Sequence, residues 1–180
     1  VYEYARLVGY GPDIEMKPDL LEAVDVIDDK EFTLRIRKGH KWSDGHPFTA
    51  EDFRYFWEDM VKDAELGREG IPSEMVVDGE EPKFEVIDDL TVKYSWSKPN
   101  TAFLPSLAAP SPVYIYRPAH YMKQFHAKYA DKAVLDAEVA KEQVDGWAAL
   151  HTRKQRQRRP ENPDLPTLDP DVSVSPKPGE

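Results

Sequence analysis

The chain has 180 residues, with 34 acidic and 24 basic side chains, a formal net charge of −10 and a mean hydropathy of −0.67. Its apolar runs are only a few residues long, whereas a membrane-spanning helix needs about 18, so the sequence predicts no bilayer-crossing segment. It has no cysteine, which excludes disulfides, thiolate metal sites and a cysteine nucleophile. The acidic balance argues against nucleic acid as a partner.

The two ends of the chain differ from its middle. Val1 is preceded by no Met or signal sequence, so we expect a secretory signal to be removed or to lie upstream. The last 21 residues contain six prolines, a composition that predicts an extended tail, unable to build a core of its own, that wraps over or leads into something packed elsewhere. We therefore predict a compact domain over residues 1–150, followed by a basic linker and a proline-rich tail over 151–180, with the chain cut at both ends.

Five cations and no acid lie between residues 151 and 159: Arg153, Lys154, Arg156, Arg158 and Arg159. No aromatic residue is interleaved with them to stack on bases. The run predicts a solvated linker rather than a nucleic-acid site.

Two hairpins are predicted from alternating apolar and polar residues. The first joins 23–27 to 32–36 through Asp28 and Asp29, and the second joins 84–87 to 91–96 through Asp88 and Asp89. The second closely repeats the sequence of the first. We expect two meanders of one sheet.

Helices are predicted between and after the hairpins. Thr49 and Asp52 form a capping-box pattern, so a helix should begin at Ala50 and bury a face that contains Phe53, Phe56, Trp57, Met60 and Val61. Pro118 should open a second helix with Met122, Phe125 and Tyr129 on one face. A third should run from about Asp131 to Leu150.

Residues 39–49 hold many chemically distinctive side chains, including His40, Trp42, Asp44 and His46. The two histidines have no third ligand nearby, so we predict no metal site. Asp44 and Gly45 instead indicate a turn. Glu51 and Asp52 are explained by the dipole of a helix start, and no nucleophile elbow or phosphate loop is present, so no catalytic residue is predicted.

Several segments together carry a family resemblance: 18–23, 33–39, 41–52, 89–94, Lys98-Pro99, 103–108 and 118–120. In this order they resemble the oligopeptide- and dipeptide-binding proteins of ABC importers, extracellular solute-binding family 5. The resemblance covers about residues 1–150. The Trp-Ser-Asp-Gly to Thr-Ala-Glu-Asp block over 42–52 is its most specific part.

The resemblance implies an α+β fold, a fragment of a periplasmic binding protein type II lobe with a β-hairpin sheet packed by helices. It implies a non-enzymatic function without cofactor or metal: capture of a peptide or other small solute for an inner-membrane ABC permease. The location would be periplasmic, or extracellular and membrane-tethered. A long second lobe is missing from the sequence, so we expect ligand capture to be incomplete.

The resemblance also implies where ligand contacts lie. In the family the chain returns toward the cleft after the Leu-Ala of the 103–108 motif, which here corresponds to 110–114. Ser111 and Tyr114 are therefore the predicted ligand-binding residues. A plain strand connection would account for the flanking prolines equally well.

Two other functions remain open at this point. A sensor domain of a regulator would keep the fold and use the basic run. A hydrolase would need two carboxylates in contrasting environments at a cleft, and the sequence does not point to such a pair.

Overall fold

The computed structural model describes residues 6–13, 15–110, 112–156 and 162–168. Within these ranges six strands form two antiparallel sheets: β1 (Val8–Tyr10), β2 (Met16–Pro18), β3 (Leu21–Ile27), β4 (Glu31–Ile36), β5 (Lys83–Asp88) and β6 (Thr91–Ser95). The α-helices there are α1 (Ala50–Arg54), α2 (Phe103–Ala108), α3 (Ala119–Met122), α4 (Lys132–Glu142) and α5 (Trp147–Lys154). The predicted α+β class is confirmed.

Both predicted hairpins are present and share one sheet, with strand order β3-β4-β6-β5. At its centre Phe32 of β4 pairs with Tyr94 of β6. Asp28 and Asp29 both have a φ of +53°, and Lys30 N donates to Ile27 O at 2.9 Å. Two left-handed residues in succession form the turn whose twist suits a hairpin, and Asp tolerates this conformation better than most side chains.

Each hairpin turn also holds the segment that follows the other hairpin. The backbone N–H of Asn100, beyond β6, donates to Asp29 O at 2.7 Å. The backbone N–H of Ala50, beyond β4, donates to Asp89 O at 2.8 Å. The resemblance between the two hairpin sequences is thus matched by equivalent structural roles.

The helix predicted from Ala50 begins there and covers the sheet. Its capping box is present: Thr49 Oγ1 accepts from Glu51 N, and Asp52 accepts from Thr49 N. The predicted burial is confirmed for four apolar side chains, each at most 8% exposed, namely Phe53, Phe56, Trp57 and Met60. They pack toward the inner face of the sheet, which is lined by Phe32, Leu34, Ile36, Val92 and Tyr94.

This helix differs from the prediction in its second half. After α1 the chain forms a π-helical segment over Tyr55–Val61, where Lys62 N donates to Trp57 O, five residues back. The wider turn buries five of its seven residues, among them adjacent Tyr55, Phe56 and Trp57. A regular α-helical stripe would not turn three consecutive side chains inward.

Two predictions for the C-terminal helices are wrong. The helix opened by Pro118 ends at Met122 and continues only as a 3₁₀ turn over Lys123–Phe125, so Tyr129 lies outside it. The single helix expected over 131–150 is two helices, because Gln143 adopts a left-handed φ of +54° that ends α4. The break lets α5 turn back so that Leu150 and His151 are buried.

The described part of the tail, residues 162–168, packs on the domain. Leu165 and Leu168 are each 8% exposed and join the core. Ser43 N donates to Thr167 O at 2.8 Å, and Thr167 N donates to Ser43 Oγ at 3.0 Å. This packing agrees with the prediction of an extended segment that wraps over something packed elsewhere.

The basic run is not a linker throughout. Arg153 and Lys154 end α5 and form ion pairs with Glu142 at 3.1 and 3.0 Å. Arg158 and Arg159 lie outside the described residues. Helix α5 continues through residue 150, and the division into 1–150 and 151–180 stays a prediction.

Candidate functional site

The segment predicted to approach a ligand links α2 to α3. Val113 N donates to Ser106 O at 3.1 Å, which turns the chain back along α2. Ile115 and Tyr116 are buried, whereas Tyr114 is half-buried with its ring 6.0 Å from that of Tyr116. Ser111 lies outside the described residues. Of the two predicted ligand-binding residues, the structure therefore describes only Tyr114.

Asp52 fixes the end of this segment. Its Oδ1 accepts the backbone N–H of Ala119 at 2.9 Å, and its backbone carbonyl accepts that of Arg117 at 3.1 Å. Its Oδ2 accepts from Trp42 Nε1 at 3.0 Å and from Thr49 N at 3.1 Å. Burial raises the pKa of Asp52, although these hydrogen bonds favour the charged form. The helix-capping acid thus also positions the 112–119 segment.

A cavity of about 250 Å³ lies beside this segment. Its apolar wall comes from the π-helical segment, the loop after it and residues 113–114; it includes Phe56, Met60, Val61, Leu66, Val113 and Tyr114. Arg117 and Gln155 supply its polar groups. Apolar walls with few polar groups are typical of small-molecule sites, which are usually about 300 Å³ or larger.

The guanidinium of Arg117 lies against the cavity wall. Its Cζ is 5.3 Å from the centre of the Phe56 ring, and Nη1 donates to Tyr116 O at 2.7 Å. Burial lowers the pKa of Arg117, but an arginine stays charged near neutral pH. No carboxylate among the described residues lies within ion-pairing distance of it.

A second cavity, of about 490 Å³, adjoins the first and shares Met60, Leu66 and Gln155 with it. Its edge carries Glu65 and three cations: Arg68, Arg153 and Arg156. Cations outnumber acids here although the chain as a whole is strongly acidic.

The turn predicted from Asp44 and Gly45 is present. His46 N donates to Asp44 Oδ1 at 3.1 Å, and Gly45 has a φ of +86°. The His46 ring stacks 3.8 Å from that of His120, whose Nε2 lies 2.6 Å from Asp44 Oδ2. Burial would raise the pKa of Asp44, but the hydrogen bonds from His120 and His46 N outweigh it and lower that pKa. His120 was missed at the sequence level, because only the fold brings it to this turn.

The histidines of the turn do not form a metal centre in the part of the chain that is described. Among the described residues, no three or more His, Asp or Glu side chains are grouped so that they could hold a metal ion. His40 instead lies with its ring 6.1 Å from that of Phe48.

A buried polar cluster that sequence reasoning missed joins α5 to the π-helical segment. The Tyr55 hydroxyl lies 2.7 Å from His151 Nε2, and His126 Nε2 donates to Asp59 O at 2.8 Å. The His126 and His151 rings are 5.8 Å apart. Burial, with a smaller contribution from the charge of His126, lowers the pKa of His151 to about 3. His151 is therefore neutral at physiological pH.

Asp59 is the charged member of this neighbourhood. It pairs with Lys128 at 2.7 Å and with Arg54 at 2.9 Å, and it accepts from the Tyr129 hydroxyl at 2.5 Å. Burial alone would raise the pKa of Asp59, but these hydrogen bonds lower it to about 2. These partners compensate the buried negative charge of Asp59, which indicates that the residue has a structural role.

The sequence of the chain matches the family model for bacterial extracellular solute-binding proteins, family 5 middle region, over residues 15–153. This match covers more than half of the chain. The chain belongs to this family. The resemblance inferred from the sequence motifs is therefore confirmed.

Among similar proteins, the periplasmic alpha-galactoside-binding protein of Rhizobium meliloti (strain 1021) is 33% identical over 122 residues, 66% of this chain and 17% of the relative. The periplasmic oligopeptide-binding protein OppA of Escherichia coli (strain K12) is 33% identical over 108 residues, 52% of this chain and 20% of the relative. The chain thus spans only about a fifth of the length of these curated relatives.

Solved structures agree with the family assignment. A structure of an oligopeptide-binding protein OppA has a TM-score of 0.76 and 31% identity, covering 92% of this chain and 25% of that one. The periplasmic binding protein MelB of Agrobacterium fabrum C58, solved in complex with stachyose, has a TM-score of 0.55 and 27% identity, covering 77% and 22%. The fold is therefore that of a fragment of a periplasmic binding protein. In the described part of this chain, no helix combines the length and apolarity that crossing a bilayer requires.

Proposed function

We propose that this chain is part of the substrate-binding component of an ABC importer for peptides or a related small solute. The observation that carries the proposal is the family match over residues 15–153. The names of the relatives support it, because they include proteins that bind oligopeptides and alpha-galactosides. The chain would act by binding alone, without a cofactor or a catalytic residue.

The proposal extends to partner and location. The bound solute would pass to an inner-membrane ABC permease, and the protein would work in the periplasm or tethered outside the membrane. Residues 1–150 would form one wall of the binding site, and residues 151–180 would lead away from it. Because a cleft protein encloses its ligand between two walls, the chain alone should bind solutes weakly.

Ser111 and Tyr114 remain the proposed ligand contacts. Support for Tyr114 comes from its half-buried ring at the edge of the 250 Å³ cavity. Its neighbours in that cavity offer both an apolar surface and a cation, which suits a solute with an apolar and a charged part.

Two other functions receive less support. A hydrolase would need two carboxylates facing the site, and none of the described residues that line the 250 Å³ cavity is acidic. A regulator's sensor domain would retain the family fold. Its use of the basic run for nucleic acid is opposed by the overall charge of −10.

Titrations of the isotope-labelled chain, followed by amide NMR shifts, test the proposal. The solutes are trialanine, raffinose and the nickel–histidine complex, with glycerol as the control. We expect one solute class to shift amides at 112–117 with a dissociation constant of about 1 mM or weaker. Micromolar binding would contradict incomplete capture. No response to any of the three solutes at about 20 mM would contradict solute binding by this chain.

A further inference from the structure

The sequence of the π-helical segment suits two helical registers. It predicts an α-helical register, in which the apolar side chains share one face. The structure has a wide register instead, in which Lys62 N donates to Trp57 O, five residues back rather than four. A turn of this kind accommodates one additional residue, so Met60 lies about where the α-helical register would place Asp59.

The choice of register affects both cavities. In the wide register, Met60 lines the 250 Å³ cavity and the 490 Å³ cavity. In the α-helical register, Asp59 would face their shared boundary, and Met60 would turn by about 100° toward the sheet. The register therefore decides whether an apolar or a negatively charged side chain lies at that boundary.

Asp59 makes the first set of contacts that are specific to the wide register. Its carboxylate pairs with Lys128 at 2.7 Å and accepts from the Tyr129 hydroxyl at 2.5 Å. Its backbone carbonyl accepts from His126 Nε2 at 2.8 Å. His126 Nδ1 accepts from Lys128 N at 3.1 Å, which leaves Nε2 to carry the ring proton. Turning Asp59 by about 100° would break these contacts with residues 126–129.

Gly67 makes the second contact that is specific to the wide register. The loop after the π-helical segment approaches so closely that a Cβ at Gly67 would overlap Val61 O and lie 3.1 Å from Val61 C. The backbone N–H of Gly67 donates to Asp63 O at 2.9 Å, which holds the loop in this position. Only a residue without a side chain allows this approach. The α-helical register would point Val61 O in another direction and remove the need for glycine.

We propose that residues 55–61 are a two-register element, which the contacts of Asp59 and Gly67 hold in the wide register. Weakening either set of contacts releases the segment to the α-helical register, whose apolar face also suits the sheet. Close-packed elements of this kind change between discrete arrangements rather than deforming continuously. The two cavities thus share a wall whose charge can change. The proposal does not depend on solute binding by the chain.

The test identifies the hydrogen-bond acceptor of the Lys62 N–H directly. NMR scalar couplings across N–H···O=C bonds, measured on the deuterated 180-residue chain, connect Lys62 N to Trp57 C′ in the wide register and to Glu58 C′ in the α-helical register. We expect only the Trp57 coupling in the unaltered chain. Gly67→Ala should replace it with the Glu58 coupling. Gly9→Ala, where an added Cβ meets no atom within 4 Å, should keep the Trp57 coupling.

Asp59→Leu tests the other set of contacts. This change removes the ion pairs and offers an apolar side chain to the boundary of the cavities, so it should also produce the Glu58 coupling. Asp136→Leu is the matched control, because Asp136 lies exposed on α4 and pairs only with Lys132 among the described residues. It should keep the Trp57 coupling. If Asp59→Leu does not fold, Gly67→Ala decides alone.

Three results would overturn the proposal: a Glu58 coupling in the unaltered chain, a Trp57 coupling that persists in a folded Gly67→Ala or Asp59→Leu variant, or loss of both couplings in Gly67→Ala. The last result would mean that the segment unravels and has no second register.

Discussion

The carboxylate of Asp52 holds the start of α3 through the backbone N–H of Ala119, which lies 2.9 Å from Oδ1. The two residues are far apart in sequence, yet this buried contact joins the capping box of α1 to the segment that carries Tyr114 and Arg117. The same carboxylate accepts the indole N–H of Trp42. A residue that begins a helix is therefore also a support for the candidate site.

Replacing Asp52 with Asn should reduce the free energy of unfolding by about 2–3 kcal/mol, because an amide N–H₂ would face buried N–H donors that now share a carboxylate. Urea denaturation measures the loss. Asp25→Asn removes an exposed carboxylate paired with Arg35 and should cost less than about 1 kcal/mol. Equal stability of the two variants would contradict the supporting role of Asp52.

Trp57 is 6% exposed, and its ring lies 6.4 Å from that of Phe84 on the edge strand β5. Trp57→Ala should cost about 3–5 kcal/mol because it leaves a large cavity. Thermal unfolding checks this. Val134→Ala on the exposed face of α4 is the matched control and should change stability by no more than about 0.5 kcal/mol. A Trp57→Ala variant that melts with the parent would contradict the packing of this helix face.

The stability of the protein should fall as the pH drops below about 6.5. The pKa of His151 is about 3 in the folded protein and about 6.5 in the unfolded chain. As the pH falls, His151 therefore becomes protonated in the unfolded chain before it does in the folded protein. The contribution of His151 to the free energy of unfolding is complete above about pH 6.5. It decreases by up to about 1.4 kcal/mol per pH unit between about pH 6 and 4. Urea unfolding at a series of pH values measures the slope.

His151→Gln should flatten this slope, since Gln keeps a hydrogen-bond partner for Tyr55 but does not titrate. His46→Gln, at an exposed position, should retain it. The pKa of Asp59 is about 2 in the folded protein against an ordinary 3.8, so its contribution to the free energy of unfolding is lost only below about pH 4. An unchanged slope in His151→Gln between pH 6 and 4 would assign the effect to another group.

The basic run should not bind nucleic acid at physiological ionic strength. Two of its five cations, Arg153 and Lys154, already pair with Glu142, and each remaining phosphate contact weakens with salt. A labelled duplex and a labelled single strand at about 150 mM salt should bind no more tightly than about 10 μM. Submicromolar binding that disappears when the five cations are changed to Gln would favour the regulator function instead.

Local sequence patterns were sufficient to predict the sheet and the start of its covering helix. Alternation places Phe32 and Leu34 on one face, and the Thr49–Asp52 pattern marks the helix start; both signals involve only neighbouring residues. The π-helical segment was not predictable in this way. Apolar spacing fits an α-helix equally well, and the burial of adjacent Tyr55, Phe56 and Trp57 is evident only in the folded chain.

The candidate site was predicted only in outline. The family resemblance pointed to residues 110–114, of which Val113 and Tyr114 line the cavity; ligand binding by Ser111 and Tyr114 stays a prediction. The sequence gave no indication that Arg117 and Gln155 line a cavity, because that depends on residues which only the fold brings next to them. The end of α4 at Gln143 was missed for a similar reason, although the nearby Gly146 is a poor helix former that could have indicated a break.

The pairing of β4 with β6 constrains the order in which the chain can fold. Each hairpin closes over a short turn, which takes microseconds, whereas Phe32 can reach Tyr94 only after the long segment between them has folded back. Closing such a loop has an entropic cost that slows folding. We therefore expect the pairing of β4 with β6, and the packing of α1 and the π-helical segment on the sheet, to form in one late step. During synthesis, we expect Phe32 and Leu34 of the first hairpin to lack their β6 partners until the second hairpin has emerged from the ribosome.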